Sequence, residues 1–356
     1  MFPDVSKAPA GRSQNRGAGS GLPICVDHSR WVVSPGLKFL HTPAFQRPAI
    51  IRSMTGDRRY PIQPFDPEPI RDFLNGREVL AVELLPHGHS NTNYKLTLDR
   101  GETYVLRIYS HGDARREGRA MDLARSLVPV PVEVYRGDSW PGSTSAGTPF
   151  SVVSFLEGEV LQNVPEHTGA AAEALARIAS VVMASPGMIE SDGRISPFPF
   201  GGVKGFILES LETNGVKAWL GSREISSLLE ITNRENQRLA ELDAESRLVH
   251  GDFNPTNILI ADGRVSGVLD WEFCHSGTPY MDIGNLLRHT AAGYHRSIEL
   301  GLMAGGMDLP GDWRLRAGLA DLTSHLEFLT SARSDDFKRQ CVARITSFIH
   351  KYSPAI

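Results

Sequence analysis

The sequence predicts an α+β protein of two lobes, a small antiparallel β-rich lobe over residues 54–157 followed by a larger, mainly helical lobe over residues 158–356. Three observations carry this reading. Short apolar segments of strand length, punctuated by Gly-containing turns, fill residues 79–156. After Glu157-Gly158 the apolar residues recur at three- and four-residue spacing, as on helices. Residues 1–53 show neither period and stand apart in charge, with seven Lys or Arg against two Asp, while the remainder carries 30 against 39.

The first 53 residues are rich in Gly, Pro and Ser and read as a disordered extension. Pro23, Pro35, Pro43 and Pro48 break both patterns that a targeting peptide needs, so Met54 is the expected start of the functional protein. A short helix is expected over residues 66–75 and a strand over 79–85. Strands over 94–98 and 103–109 flank Asp99-Arg100-Gly101-Glu102, a hairpin turn by length and Gly content. A helix over 114–125 and strands over 130–135 and 150–156 complete this lobe. In the second lobe Thr168 is expected to cap a helix with Leu175, Ile178 and Val182 on one face. Ile225, Leu228 and Leu229 begin another. Leu319, Leu322, Leu326 and Leu329 line a third, and Phe337, Cys341, Ile345 and Phe348 a fourth. Residues 185–202, rich in Pro and Gly, read as a long functional loop. Two unlike lobes leave a cleft between them, a common place for ligands.

Composition narrows the function. The chain has 356 residues, 41% hydrophobic and 22% charged, and a net charge of −4, so it lacks the overall basic field that holds nucleic acid or an anionic membrane. Apolar runs such as Ile258-Leu259-Ile260 fall far short of the roughly 18 residues of a membrane-spanning helix. Cys25, Cys274 and Cys341 are odd in number and widely spaced, fitting neither a disulfide framework nor a zinc site. A reducing cytoplasm is the expected compartment.

The stretch from Leu248 to Glu272 carries the chemistry. Asp262-Gly263 is a hairpin turn signal, so residues 258–260 should pair with 265–268 and bring Asn257 and Asp270 together at the open end. Asp252 lies five residues before Asn257 on a loop bent by Gly251 and Pro255. Two carboxylates and an amide oxygen then meet at one place. Hard oxygen ligands of this kind suit Mg²⁺, which completes its shell with water and substrate phosphates. A metal on Asn257 and Asp270, with Asp252 placed to accept a hydroxyl proton, is what phosphoryl transfer needs.

His250-Gly251-Asp252-Phe253-Asn254-Pro255-Thr256-Asn257, followed by Asp270-Trp271-Glu272, resembles the aminoglycoside phosphotransferase and choline kinase superfamily, which is protein-kinase-like. The resemblance runs from about residue 79 to residue 352. It implies a two-lobed kinase-like fold in which Asp252 is catalytic, Asn257 and Asp270 bind Mg²⁺, His250 braces the loop and Asp282 is structural. It also implies that the polar loop at Gly88, Ser90, Asn91 and Asn93 faces the nucleotide phosphates. Arg107 is a lone cation in the apolar run 105–109 and wants an anion. With Glu117 it resembles the lysine and helix glutamate with which kinases hold the α- and β-phosphates, with Arg in place of Lys. The competing readings are a strand-edge Arg reaching water and a Glu117 belonging to a solvated cluster with Arg115, Arg116 and Arg119. Ser154 to Leu156 occupy the hinge position, where backbone groups meet adenine.

The expected activity is therefore transfer of the γ-phosphoryl group of ATP, with GTP as the alternative, to a hydroxyl of a small antibiotic or metabolite. A catalytically silent nucleotide-binding module competes with it, as does a metal-dependent hydrolase on His250, Asp252 and Asp270. The hydrolase leaves Arg107 and the polar loop without a use. A Cys274-His275 nucleophile pair is set aside, because chain neighbours seldom face each other. Residues 252–356 hold 12 Asp or Glu against 10 Lys or Arg, so no acidic field selects a polycationic acceptor, and Asp321, Glu327, Asp335 and Asp336 are expected on a wet helix face.

Overall fold

The computed structural model describes residues 60–85, 90–110, 112–141 and 147–353, so the expectations for residues 1–53, Met54 and Gly88 fall outside the described residues. Two unlike lobes follow one another. The first opens with a 3₁₀ turn, Glu68–Ile70, that runs into α1 (Arg71–Leu74) and ends on a left-handed Asn75. Five strands follow: β1 (Val79–Leu84), β2 (Thr92–Leu98), β3 (Thr103–Ile108), β4 (Glu133–Gly137) and β5 (Phe150–Ser154). They form one antiparallel sheet in the order β1-β2-β3-β5-β4. Alternation decides its faces. In β2, Thr92, Tyr94, Leu96 and Leu98 are buried while the residues between them are half-buried, and Leu96, Leu98, Leu106, Ile108, Trp140, Phe150 and Val152 form a core with Ile70. Helix α2 (Ala114–Ala124) crosses between β3 and β4, capped by Asp113, whose carboxylate accepts from the N–H groups of Arg115 and Arg116.

Strand β4 begins later than the expected residues 130–135. Pro129 and Pro131 have no N–H to give a ladder, so Val128 and Val130 leave the sheet and pack into the core of the second lobe.

The second lobe starts with β6 (Glu159–Val160) and α3 (Thr168–Ala179). Thr168 is the first residue of α3 rather than its cap, and its hydroxyl donates to the Pro165 carbonyl at 2.6 Å. Leu175 and Ile178 are buried as expected, but Val182 lies beyond the helix end and is 69% exposed. Residues 185–202 are not a structureless loop. They hold β7 (Gly187–Ile189) and β8 (Ile195–Ser196), turned at Asp192-Gly193 with Gly193 at φ 85°. The expected pattern was hidden because these strands are too short to alternate legibly.

Helices α4 (Val203–Glu212), α5 (Asn214–Lys217), α6 (Ser222–Arg234) and α7 (Asn236–Ala244) lead to β9 (Arg247–Val249), β10 (Ile258–Ala261), β11 (Arg264–Val268) and β12 (His275–Gly277). The chain closes with α8 (Tyr280–His289), α9 (His295–Ala304), α10 (Trp313–Thr330) and α11 (Asp335–Tyr352). Leu319, Leu322, Leu326 and Leu329 of α10 are all buried, each stabilising the lobe by about 1.5–3 kcal/mol relative to exposure. Cys341 and Ile345 of α11 are buried too, with Phe337 and Phe348 packed against the same core. No helix among the described residues is long and apolar enough to cross a membrane.

Candidate functional site

The loop between β9 and β10 is fixed from three sides. Gly251 sits at φ 85°, and a Cβ there would lie 2.3 Å from the Phe273 carbonyl oxygen, so only glycine passes. Both carboxylate oxygens of buried Asp282 accept backbone N–H groups, from His250 at 2.7 Å and Gly251 at 2.9 Å. Burial pushes the Asp282 carboxyl up, against the nearby His250 imidazole and these N–H groups. The His250 ring is fully buried; its Nε2–H donates to the Leu269 carbonyl at 2.9 Å and its Nδ1 accepts from the Asp252 N–H at 3.2 Å. The imidazole thus ties the loop to the far arm of the β10–β11 hairpin. Trp271 backs it at 4.6 Å between ring centroids.

That hairpin forms as expected, with Ile258 paired to Val268 and both Asp262 and Gly263 at positive φ. At its open end the Leu269 N–H donates to the Asn257 carbonyl at 2.8 Å, which puts Asp270 one residue from Asn257's partner. Asp252 is held by two amides. Asn257 Nδ2 donates to Asp252 Oδ2 at 3.0 Å, and Asn285 Nδ2 donates to Asp252 Oδ1 at 3.2 Å. The amide nitrogen of Asn257 being committed, its Oδ1 is the atom left for a cation. Asp270 is held at φ 64°, a conformation that Asp tolerates better than most residues. One carboxylate and one amide oxygen are a donor set that suits Mg²⁺ and leaves coordination positions for phosphate oxygens.

The small lobe reaches the same point through Arg107. Its guanidinium lies 2.6 Å from Asp270 Oδ1, 3.3 Å from Glu117 Oε2 and 3.7 Å from Glu272 Oε2, and its side chain is only 13% exposed. Both competing readings of this pair fail: Arg107 does not reach out to water, and Glu117 is buried at 3% exposure rather than solvated among arginines. Burial opposes the Arg107 charge, but Glu117 and Asp270 outweigh it and hold the group well above its usual range. Burial pushes Glu117 up, against Arg107.

Register places the loop residues. Asn93 lies opposite Arg107 across β2 and β3, and Asn91 Nδ2 donates to Glu272 Oε2 at 3.1 Å. Ser90 is half-buried at the edge of the described chain, and Gly88 lies outside it. At the hinge, the Ser154 N–H donates to the Val132 carbonyl at 2.8 Å and its hydroxyl accepts from the Val132 N–H at 2.9 Å, so the backbone donor of Ser154 is spent within the sheet edge. Leu156 packs over Gly267, where an added Cβ would sit 3.0 Å from its Cδ1, and Lys95 Nζ stands 3.9 Å above the Phe155 ring.

Three residues at the site were given no role there by the sequence reading. Asn285 follows Asp282 by three positions, one helical turn, so both meet the loop from the same face of α8. Arg116 donates to the Glu272 carbonyl oxygen. Glu272 stands among Asn91, Arg107 and Asp270, and burial, with the Asp270 charge, pushes its carboxyl up to about 8 against Arg107. The spacing Asp282-x-x-Asn285, two polar residues one turn apart among the apolar residues 280–287, was the available signal. A further correction concerns Asp321. It is not on a wet face: its side chain is 12% exposed, ion-paired to Arg288 and within 3.1 Å of His325 Nε2.

Comparison with known proteins follows this geometry. The sequence model described as the phosphotransferase enzyme family matches residues 81–319. A homoserine kinase of Chelativorans sp. (strain BNC1) is 24% identical over 251 residues, 68% of this chain and 73% of its own length. Acyl-CoA dehydrogenase family member 11 of Mus musculus is 26% identical over 246 residues, and the chain spans 31% of that protein. Among solved structures, aminoglycoside phosphotransferase APH(4)-Ia in ternary complex with AMP-PNP and hygromycin B superimposes with a TM-score of 0.57 at 18% identity, covering 81% of this chain and 98% of that one. A putative fructosamine-3-kinase from Thermobifida fusca gives 0.58 at 17% identity, over 77% and 95%. These structures share the two-lobed kinase-like fold.

Proposed function

The chain belongs to the phosphotransferase enzyme family, and from that premise we propose that it transfers the γ-phosphoryl group of ATP, or of GTP, to a hydroxyl of a small molecule. One observation carries the reading: Asp252, clamped by Asn257 and Asn285, stands beside the hairpin end that bears Asp270, and Arg107 from the other lobe reaches that same carboxylate. In the reaction the acceptor oxygen forms a bond to the γ-phosphorus while the bond to the β,γ-bridging oxygen breaks. Asp252 orients the hydroxyl and takes its proton. Two amide donors hold both carboxylate oxygens at fixed positions, so no rotamer search precedes the reaction. Asn257 and Asp270 would hold Mg²⁺, and the ion would neutralise phosphate charge there. Arg107, permanently charged and braced by Glu117, meets the phosphates; the polar residues Ser90, Asn91 and Asn93, with Gly88, and the backbone of Leu156 complete the nucleotide site.

The test is ADP release by the purified chain with ATP, Mg²⁺ and a panel of amino alcohols, hydroxy acids, sugars and aminoglycosides. Asp252→Asn should lower kcat by about 10²–10⁴-fold while nucleotide binding, read by calorimetry, persists. Nucleotide binding without turnover on any acceptor would mark a silent module, and turnover without nucleotide a hydrolase.

A further inference from the structure

Helix α8 continues past the residues that hold Asp252. Asn285 clamps the carboxylate, and the next turn carries Arg288 and His289 on the same side of the helix. What surrounds that turn is cationic. Arg288 lies 5.7 Å from the Phe328 ring centroid, and Arg333 lies 5.8 Å from the same ring and 5.2 Å from Phe337. Arg344, on α11, is exposed and acts on His289 together with Arg288: burial and these two charges push the His289 imidazole down to about 4, against Asp252 and Asp321. Asp321 is the carboxylate at this place, and it is already spent on Arg288 and His325. Among the described residues neither Arg333 nor Arg344 has a carboxylate partner. One turn before Arg288 and His289 on the same helix, Asn285 Oδ1 is a buried acceptor without a hydrogen-bond partner, on a residue 4% exposed. A buried acceptor of this kind wants a donor that the protein does not supply.

We propose that the acceptor is a small molecule that bears, besides its hydroxyl, an anionic group, a carboxylate or a phosphate monoester, received by Arg333 and Arg344 next to the Asp252 end of α8. The inference rests on the phosphotransferase reading and adds the charge of the substrate to it. Asn285 Oδ1 takes the acceptor's hydroxyl or amine hydrogen, and the guanidinium of Arg333, 5.8 and 5.2 Å from two ring centroids, presents its donors to a planar carboxylate or to phosphate oxygens. A polycation such as an aminoglycoside meets like charges here.

The experiment is ADP release with matched acceptor pairs: hydroxy acids against their amides, sugar phosphates against the parent sugars, with choline and an aminoglycoside as cationic controls. Turnover confined to the charged member of a pair is expected, and the productive pair tells carboxylate from phosphate. Arg344→Ala and Arg333→Gln should each raise the acceptor KM about tenfold or more while the ATP KM stays put, and Arg344→Lys should restore most of it. Arg344 is exposed, so its variants keep the fold. Turnover of neutral or cationic acceptors in preference to anionic ones, or an acceptor KM unmoved by both substitutions, overturns the proposal and leaves the phosphotransferase standing. Absence of turnover with every acceptor overturns both.

Discussion

Arg107→Met isolates the contact between the lobes. The substitution keeps an apolar stem of similar length and removes the one cation among the described residues that lies within 3.7 Å of Glu117, Asp270 and Glu272. At 3.3 Å and an effective dielectric of about 20, the Arg107–Glu117 attraction alone is about 5 kcal/mol gross, most of which offsets the desolvation of both groups. What denaturation measures is the state left behind, a nearly buried carboxylate without a counter-ion, and that loss is about 3–5 kcal/mol. Glu117→Gln in the same background should recover part of the loss, since a neutral amide needs no cation, so the double-mutant cycle should give a coupling of about 1–3 kcal/mol. Arg107→Lys keeps the charge but cannot reach three carboxylates with one ammonium, and should lose about 1–2 kcal/mol. Urea unfolding at neutral pH supplies the stabilities, and the ATP KM, expected to rise in the Met variant, supplies the functional side. A Met variant within about 1 kcal/mol of the parent, with an unchanged ATP KM, would sink the reasoning, because Arg107 would then be neither a structural nor a phosphate-binding cation.

Asn285→Ala should lower kcat about tenfold to a hundredfold by freeing Asp252, the equivalent of about 1–3 kcal/mol, with the ATP KM unmoved; steady-state kinetics decide it. His275 is fully buried, its Nδ1–H donating to the Phe273 carbonyl at 3.0 Å, and burial pushes its imidazole down to about 3. The unfolded chain therefore binds the extra proton first as pH falls below about 6.5, and stability drops from there toward pH 3, by about 2 kcal/mol at pH 5. Urea midpoints taken from pH 7 to pH 5 should show that drop in the parent and a shallower one in His275→Gln. Leu322→Ala empties a site 2% exposed in the α10 core and should cost about 2–5 kcal/mol of unfolding free energy without shifting the acceptor KM.

Local chemistry was legible where its residues are close in the chain. Asp262-Gly263 predicts its hairpin because the turn needs two adjacent residues at positive φ, and the hairpin then fixes where Asn257 and Asp270 stand. The helical leucines of α10 announce themselves by spacing. Errors arose where a residue's fate depended on distant chain. Val182 continues the periodicity of α3 on paper, yet the helix has already ended. Asp321 reads as a surface charge until Arg288, 33 residues away, is packed beside it. Residues 130–135 read as one strand until the missing N–H of Pro131 is counted, and the ladder begins only at Glu133.

By itself the amino-acid order determined the two kinds of lobe, the loop bearing Asp252 and the meeting of Asn257 and Asp270 at the hairpin's end, because turn chemistry and periodicity act over a handful of neighbouring residues. Only the tertiary structure decided that Arg107 spans to Asp270, 163 residues away, that Asn285 and not another amide clamps Asp252, and that arginines from separate segments gather around Phe328. The physical reason is that charge pairing in a protein interior is governed by distance and burial, and both are properties of the packed chain rather than of its order.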